Sequence, residues 1–256
     1  MSISIHFLVL NMNKNQDRWY NISCNLNKIG ASYSKIEAID GFNFDKNKDA
    51  KEILKCRTNL LNRQFQCKTF NQEWIYDGTL ESSFPGLNKY GNEGAKGLII
   101  SNIKAFHKCI KINNDYILGL NDNNYLDLFK YKSMVDNSYY KYKWFCILED
   151  DAIINNAVYD EIINFVKNNQ EKDIILLDKR IGGGAAGVLY NSKIIPKIIE
   201  DLHPLSDFSI NMEDSYNCAT LWDWKLWNYV NYNQDLKFTT FPIIDSGEFD
   251  STIDLI

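Results

Sequence analysis

The chain lacks the devices that mark several large protein classes. None of its apolar runs approaches the ~20 residues needed to cross a bilayer, so no transmembrane segment is expected. It opens on a strand-like stretch rather than on a charged segment followed by a long apolar core, so no signal peptide is expected. The six cysteines (Cys24, Cys56, Cys67, Cys109, Cys146, Cys218) have neither CxxC spacing nor a paired metal pattern. Several sit in apolar stretches, which suits buried free thiols in a reducing compartment. A basic patch is missing as well. With a net charge of -5, the chain is not expected to bind nucleic acid, whose partners replace phosphate counterions with Lys and Arg. HExxH and P-loop patterns are absent, and His6, His107 and His203 have no ligand spacing. These absences leave a soluble, cytoplasmic protein as the expectation (host cytoplasm if the chain is viral).

What is present suits a globular enzyme. Hydrophobic residues make up 45% of the 256 and charged residues 24%, enough to bury a full core as one domain spanning 1–256. Residues 3–10 form a nearly continuous apolar run, which predicts a buried parallel strand. A polar turn follows, then a helix from about residue 16 with Trp19, Ile22, Leu26 and Ile29 at helical spacing and Gly30 as its stop. A second strand is predicted over 33–39, closed by Asp40-Gly41. Strand, helix, strand is a βαβ opening, which puts ligands near the carboxyl ends of the strands. Residues 42–93 are less regular and read as an insertion on the acceptor side. A helix is predicted over 94–112, strands over 144–148, 174–177 and 188–190, and helices over 160–167 and from 191 or 192. The fold class is therefore α/β, a mixed, mostly parallel Rossmann-like sheet flanked by helices.

Glu149-Asp150-Asp151 follows directly on the apolar run Trp144-Phe145-Cys146-Ile147-Leu148. Carboxylates this close raise one another's pKa unless a cation neutralises them, and Mg²⁺ or Mn²⁺ with substrate phosphates would do so. Side chains alternate along an extended segment, so Glu149 and Asp151 can share a face that Asp150 does not. The same triplet could instead be a solvated turn capping the next helix. Its place at the end of a central strand favours a functional site.

Several segments, in order, resemble glycosyltransferase family 25. Phe7-Leu8-Val9-Leu10-Asn11 with Gln16-Asp17-Arg18-Trp19 is similar to that family's strand, Asn turn and Asp-Arg pair. Glu37-Ala38-Ile39-Asp40-Gly41 is similar to its acidic turn. Gly97-Leu98-Ile99-Ile100-Ser101-Asn102 resembles a Gly- and Ser-containing stretch, with Ile99, Ile100 and Asn102 where the family has Gly, Cys and His. Ile147-Leu148-Glu149-Asp150-Asp151 resembles its LEDD element, and Leu221-Trp222-Asp223-Trp224 its late Asp motif. The resemblance implies a GT-A-like fold, Mn²⁺ (or Mg²⁺), a UDP-sugar donor, and transfer of a hexose with inversion to a hydroxyl of a glycan or hydroxylated protein. It assigns Leu10, Asn11, Arg18, Asp40, Gly97, Ser101 and Asp150 to the nucleotide pocket, and Glu149 and Asp151 to the metal. Asp245 or Asp250 could complete the metal shell. Asp223, among tryptophans, is the chosen base, with Glu213 and Asp214 as rivals. Arg18 is either a diphosphate partner or a surface residue paired with Asp17. A catalytically inactive nucleotide-sugar or glycan-binding protein on the same fold is the alternative, and a metal-dependent hydrolase or nucleotidyltransferase a third reading.

Overall fold

The computed structural model describes residues 3–40, 93–118, 140–180, 185–202 and 222–247. The expected insertion lies outside them, except for Glu93 at its end. The chain divides into two compact units, one of Met1–Ala38, Lys141–Ile194 and Trp222–Ile256, the other of Ile39–Tyr140 and Ile195–Leu221.

The first unit holds a seven-stranded sheet in the order β2-β1-β3-β6-β5-β7-β4. Its strands are β1 (Ile5–Asn11), β2 (Ser32–Glu37), β3 (Trp144–Glu149), β4 (Ala152–Ile153), β5 (Ile174–Asp178), β6 (Gly187–Asn191) and β7 (Phe238–Ser246). Helices α1 (Gln16–Lys28), α3 (Asn156–Asn168) and α5 (Trp222–Tyr232) belong to the same unit. β1, β5 and β6 are buried along their whole length, which is why they read as nearly continuous apolar runs. β1 pairs in parallel with β2 and β3, and β5 with β7, but β6 is antiparallel to both β3 and β5, and β4 to β7. The sheet is thus evenly mixed rather than mostly parallel. The physical reason lies between Asp178 and Gly187, a connection too short for the dozen or more residues that a parallel crossover needs.

Local chemistry sets the helix ends. Gly30 takes φ +67°, and the N–H groups of Gly30 and Ala31 donate to the carbonyls of Asn27 and Leu26, a Schellman stop at the end of α1. Ile22 and Leu26 bury the inner stripe of α1, with Trp19 and Ile29 packed beside them. The Asn155 side chain accepts from Val158 N–H at 3.0 Å, so α3 begins at Asn156, four residues before the position that its apolar spacing suggested. The segment that carries Asp245, for which no strand is predicted above, supplies β7 as far as Ser246.

Gly187 opens β6 opposite Leu148. A Cβ there would stand 2.6 Å from Ile244 Cδ1 and 3.2 Å from Leu148 Cδ2. Gly187→Ala is therefore expected to destabilise the protein by about 1–3 kcal/mol through overpacking. Ile244→Val removes the obstructing methyl, so in a urea-denaturation cycle the double variant should lose less than the sum of the two single losses.

In the second unit, helix α2 (Glu93–Leu118) packs against α4 (Ile195–Leu202). Ile99, Ile103, Phe106 and Ile110 are buried as their spacing predicts, and Ile100 and Cys109 are buried too. His107 is also buried there, without a hydrogen-bond partner on either ring nitrogen among the described residues. Burial lowers its pKa to about 4, so it is neutral in the fold. No helix among the described residues is long and apolar enough to cross a membrane.

Candidate active site

Pairing brings four strand ends to one edge of the first unit. Leu10 is level with Glu149 across the β1–β3 ladder, and β5, like β3, runs antiparallel to β6. The carboxyl ends of β1, β3 and β5 therefore lie beside the start of β6. This edge carries Asn11, Glu149, Asp150, Asp151 and Asp178. The backbone N–H of Glu149 donates to the Ala186 carbonyl, and the Gly247 N–H to the Asp151 carbonyl, which fixes the turn that follows β3.

Asp150 is the structural member of the acidic triplet. Its Oδ2 accepts from Asn11 Nδ2 at 2.6 Å, and its Oδ1 lies 3.4 Å from Arg18 Nη1, with both side chains of that ion pair nearly buried. Asn11 also donates to the Asn15 carbonyl, which links β1, the head of α1 and the acidic turn. Arg18 thus pairs with Asp150 across 132 residues, and that pair holds the β1–α1 corner against the acidic turn.

Glu149 faces the other way, 3.8 Å from Arg180 Nη2. Its pKa is pushed up to about 8, first by burial and then by the charges of Asp223 and Asp151, against the pull of Arg180. Asp151 is raised by burial and by Asp150, with Arg18 and Arg180 opposing. Asp223, in the first turn of α5, is pushed up to about 6 by burial, held back by Arg180 and raised further by Asp178. One oxygen each of Asp151, Asp223 and Asn11 is buried without a hydrogen-bond partner among the described residues. Orphaned buried acceptors among raised carboxylates are what a cation or a proton-bearing substrate would satisfy.

Two residues of this cluster escaped the sequence reading. Asp178 ends β5 and is almost fully buried. Burial would raise its pKa, but hydrogen bonds from Arg180 and Ala186 outweigh this and hold it below the usual carboxylate range. Its Oδ2 accepts from Ala186 N–H at 2.7 Å and its Oδ1 from Arg180 N–H at 2.8 Å. The Arg180 guanidinium grips the same carboxylate through Nε, 3.1 Å from both oxygens, and Nη2 at 2.6 Å, which raises the arginine's own pKa. The signal was available: Asp178 follows an apolar run as Glu149 does.

The remaining residues named from the sequence fall elsewhere. Leu10 is buried within β1. Asp245 lies on β7 opposite Ile153, half exposed, with Lys179 Nζ 2.7 Å from its Oδ2. Gly97 and Ser101 belong to α2 in the second unit, where Ser101 Oγ donates to the Gly97 carbonyl and accepts from Ile39 N–H; Asp40 follows Ile39. Trp222 is buried in the core, and the half-buried Trp227 packs edge-on against Phe238. Glu213, Asp214 and Asp250 lie outside the described residues.

Among the described residues, no group of three His, Cys, Asp or Glu side chains is placed to hold a metal ion. The donor set still fits a hard cation of the Mg²⁺ type, which is bound by one or two carboxylates and completed by water and substrate phosphates. The unpartnered Asp151 oxygen is the observation that supports this fit.

The chain matches no protein-family model and no curated protein. Among solved structures it is similar to a glycosyltransferase involved in the glycosylation of the major capsid of PBCV-1, at 8% identity over 93% of this chain and 82% of that one, with a TM-score of 0.39. A likeness of that size carries no argument about fold or function.

Proposed function

We propose that the chain is a glycosyltransferase of GT-A-like fold that moves a hexose from a UDP-sugar to a hydroxyl acceptor, as the resemblance to family 25 implies. The observation that carries this reading is the carboxylate cluster at the strand ends, in which Asp223 has a pKa near 6 and an oxygen with no partner. A base with that pKa is ionised at neutral pH and still basic enough to take a proton from an attacking hydroxyl. The acceptor oxygen would bond to the anomeric carbon from the face opposite the leaving group. The bond from that carbon to phosphate oxygen would break with its electron pair leaving on UDP, and the hydroxyl proton would pass to Asp223. Glu149 and Asp151 would hold Mn²⁺ or Mg²⁺, whose contribution is to neutralise charge on the diphosphate. Asn11 and Arg18, fixed on Asp150, would border the nucleotide.

One observation favours the binding-protein alternative: Asp150 and Asp178 are already neutralised by arginines. The base assignment separates the two readings. Asp223→Asn is expected to lower the acceptor-dependent rate of UDP release by about 10²–10⁴-fold while leaving UDP affinity within a factor of a few. A native chain that binds UDP but shows no release with any donor and acceptor tried would instead be the binding protein.

A further inference from the structure

Among the described residues, Arg180 is the one cation whose charge reaches Glu149, Asp151 and Asp223 alike. It is held rather than mobile: its Nε and Nη2 are committed to Asp178, which is in turn fixed by the Arg180 and Ala186 N–H groups. One edge of the fork is left over. Nη1 makes no hydrogen bond among the described residues, and the side chain keeps 49% of its exposure. An arginine whose sole task was to neutralise Asp178 would not need a half-exposed side chain with an uncommitted donor, 3.8 Å from Glu149 and felt by Asp151 and Asp223 as well. A guanidinium clamped on one side and open on the other is preorganised to receive an oxyanion, because the clamp has already removed its rotamer freedom.

We propose that Arg180, positioned by Asp178, is a binding residue for the diphosphate of the nucleotide-sugar donor through its free Nη1 edge. The proposal rests on the transferase reading and adds a cation that the carboxylate motif does not reveal. In it Asp178 is a positioning residue: it touches no ligand and acts by aiming the guanidinium.

The test is calorimetric binding of UDP, UMP and inorganic pyrophosphate to the full chain, each in EDTA and again with Mn²⁺, for the native protein and for Arg180→Gln, Arg180→Lys and Asp178→Asn. Thermal melting of each variant confirms folding. The expected result in EDTA is a loss of tenfold or more in UDP and pyrophosphate affinity for Arg180→Gln, with a smaller loss for UMP, which has one phosphate fewer. Arg180→Lys should fall between native and Gln, since it keeps the charge and loses the fork. Asp178→Asn should weaken pyrophosphate binding at unchanged stoichiometry, measured well below its own melting transition, where a purely structural role would leave the affinity of the folded protein unchanged. If Arg180→Gln proves unfolded, the Lys variant carries the test: native-like melting with undiminished pyrophosphate affinity overturns the proposal. Native binding of UDP with equal binding by folded Arg180→Gln overturns it and leaves the transferase reading standing. Pyrophosphate binding that depends on Arg180 without any UDP binding supports the anion role and sinks the UDP donor. No binding of either probe under either condition sinks both.

Discussion

Asp178→Ala is expected to destabilise the protein by about 3 kcal/mol, the upper range for one side chain outside the apolar core. The substitution strands two backbone donors, the N–H groups of Arg180 and Ala186, and leaves the guanidinium with only the longer, 3.8 Å contact to Glu149 among the described residues. Each charge-assisted hydrogen bond is worth about 1.5–3 kcal/mol, but Arg180 is half exposed and can recover water, so the losses do not simply add. Asp178→Asn should cost less, because an amide oxygen can still accept from Ala186 while the paired oxygens of the fork are lost. Urea denaturation of the three proteins measures the order. Equal stability of the Ala variant and the native chain would mean that the carboxylate does not hold this edge of the sheet together.

The second large effect is a gain. Glu149→Gln is expected to stabilise the metal-free protein by roughly 2–4 kcal/mol at pH 8.5 and to do little at pH 4. Its folded pKa of about 8 lies above the unfolded value of 4.5, so the folded state holds the proton more tightly. Stability from that proton is complete below pH 4.5 and lost as pH rises through 8. Asp223 works in the same direction between 3.8 and about 6, whereas His107 works against them: its folded pKa near 4 is below 6.5, so its contribution is present above 6.5 and lost as pH falls. Between pH 6.5 and 8.5 Glu149 dominates, and there the native protein should lose stability that the Gln variant keeps. A site that gives up stability to crowd carboxylates is the usual cost of function. Identical pH profiles for the two proteins would remove Glu149 from the cluster.

The sequence made the strands legible where burial on both faces leaves nearly continuous apolar runs, as in β1, β3 and β5. It did not reveal the direction of β6, since a run of five buried residues looks the same whether it pairs parallel or antiparallel. β7 was hidden for the opposite reason: its alternating, partly exposed residues around Pro242 resemble a solvated turn. The acidic triplet was visible because three acids end a strand, but the division of labour within it was not. Asp150 is claimed by Asn11 of β1 and Arg18 of α1, contacts more than 130 residues away in sequence. Asp178 and Arg180 were passed over because their meaning depends on β5 lying beside β6, with its end at the same edge as that of β3. Lys179, just past the end of β5, takes Asp245 of β7, an expected metal ligand, as its partner, a pairing that only three dimensions display.

The most direct test of the central claim is UDP release from a panel of UDP-sugars incubated with the full chain and Mn²⁺, with and without hydroxyl acceptors, for the native protein and Asp151→Ala. Transfer is expected to appear as release that an acceptor accelerates, that chelation abolishes and that Asp151→Ala reduces by at least about 10²-fold. Native protein that binds no UDP-sugar with Mn²⁺ present, or that releases UDP at the same rate with Asp151 replaced, would contradict it.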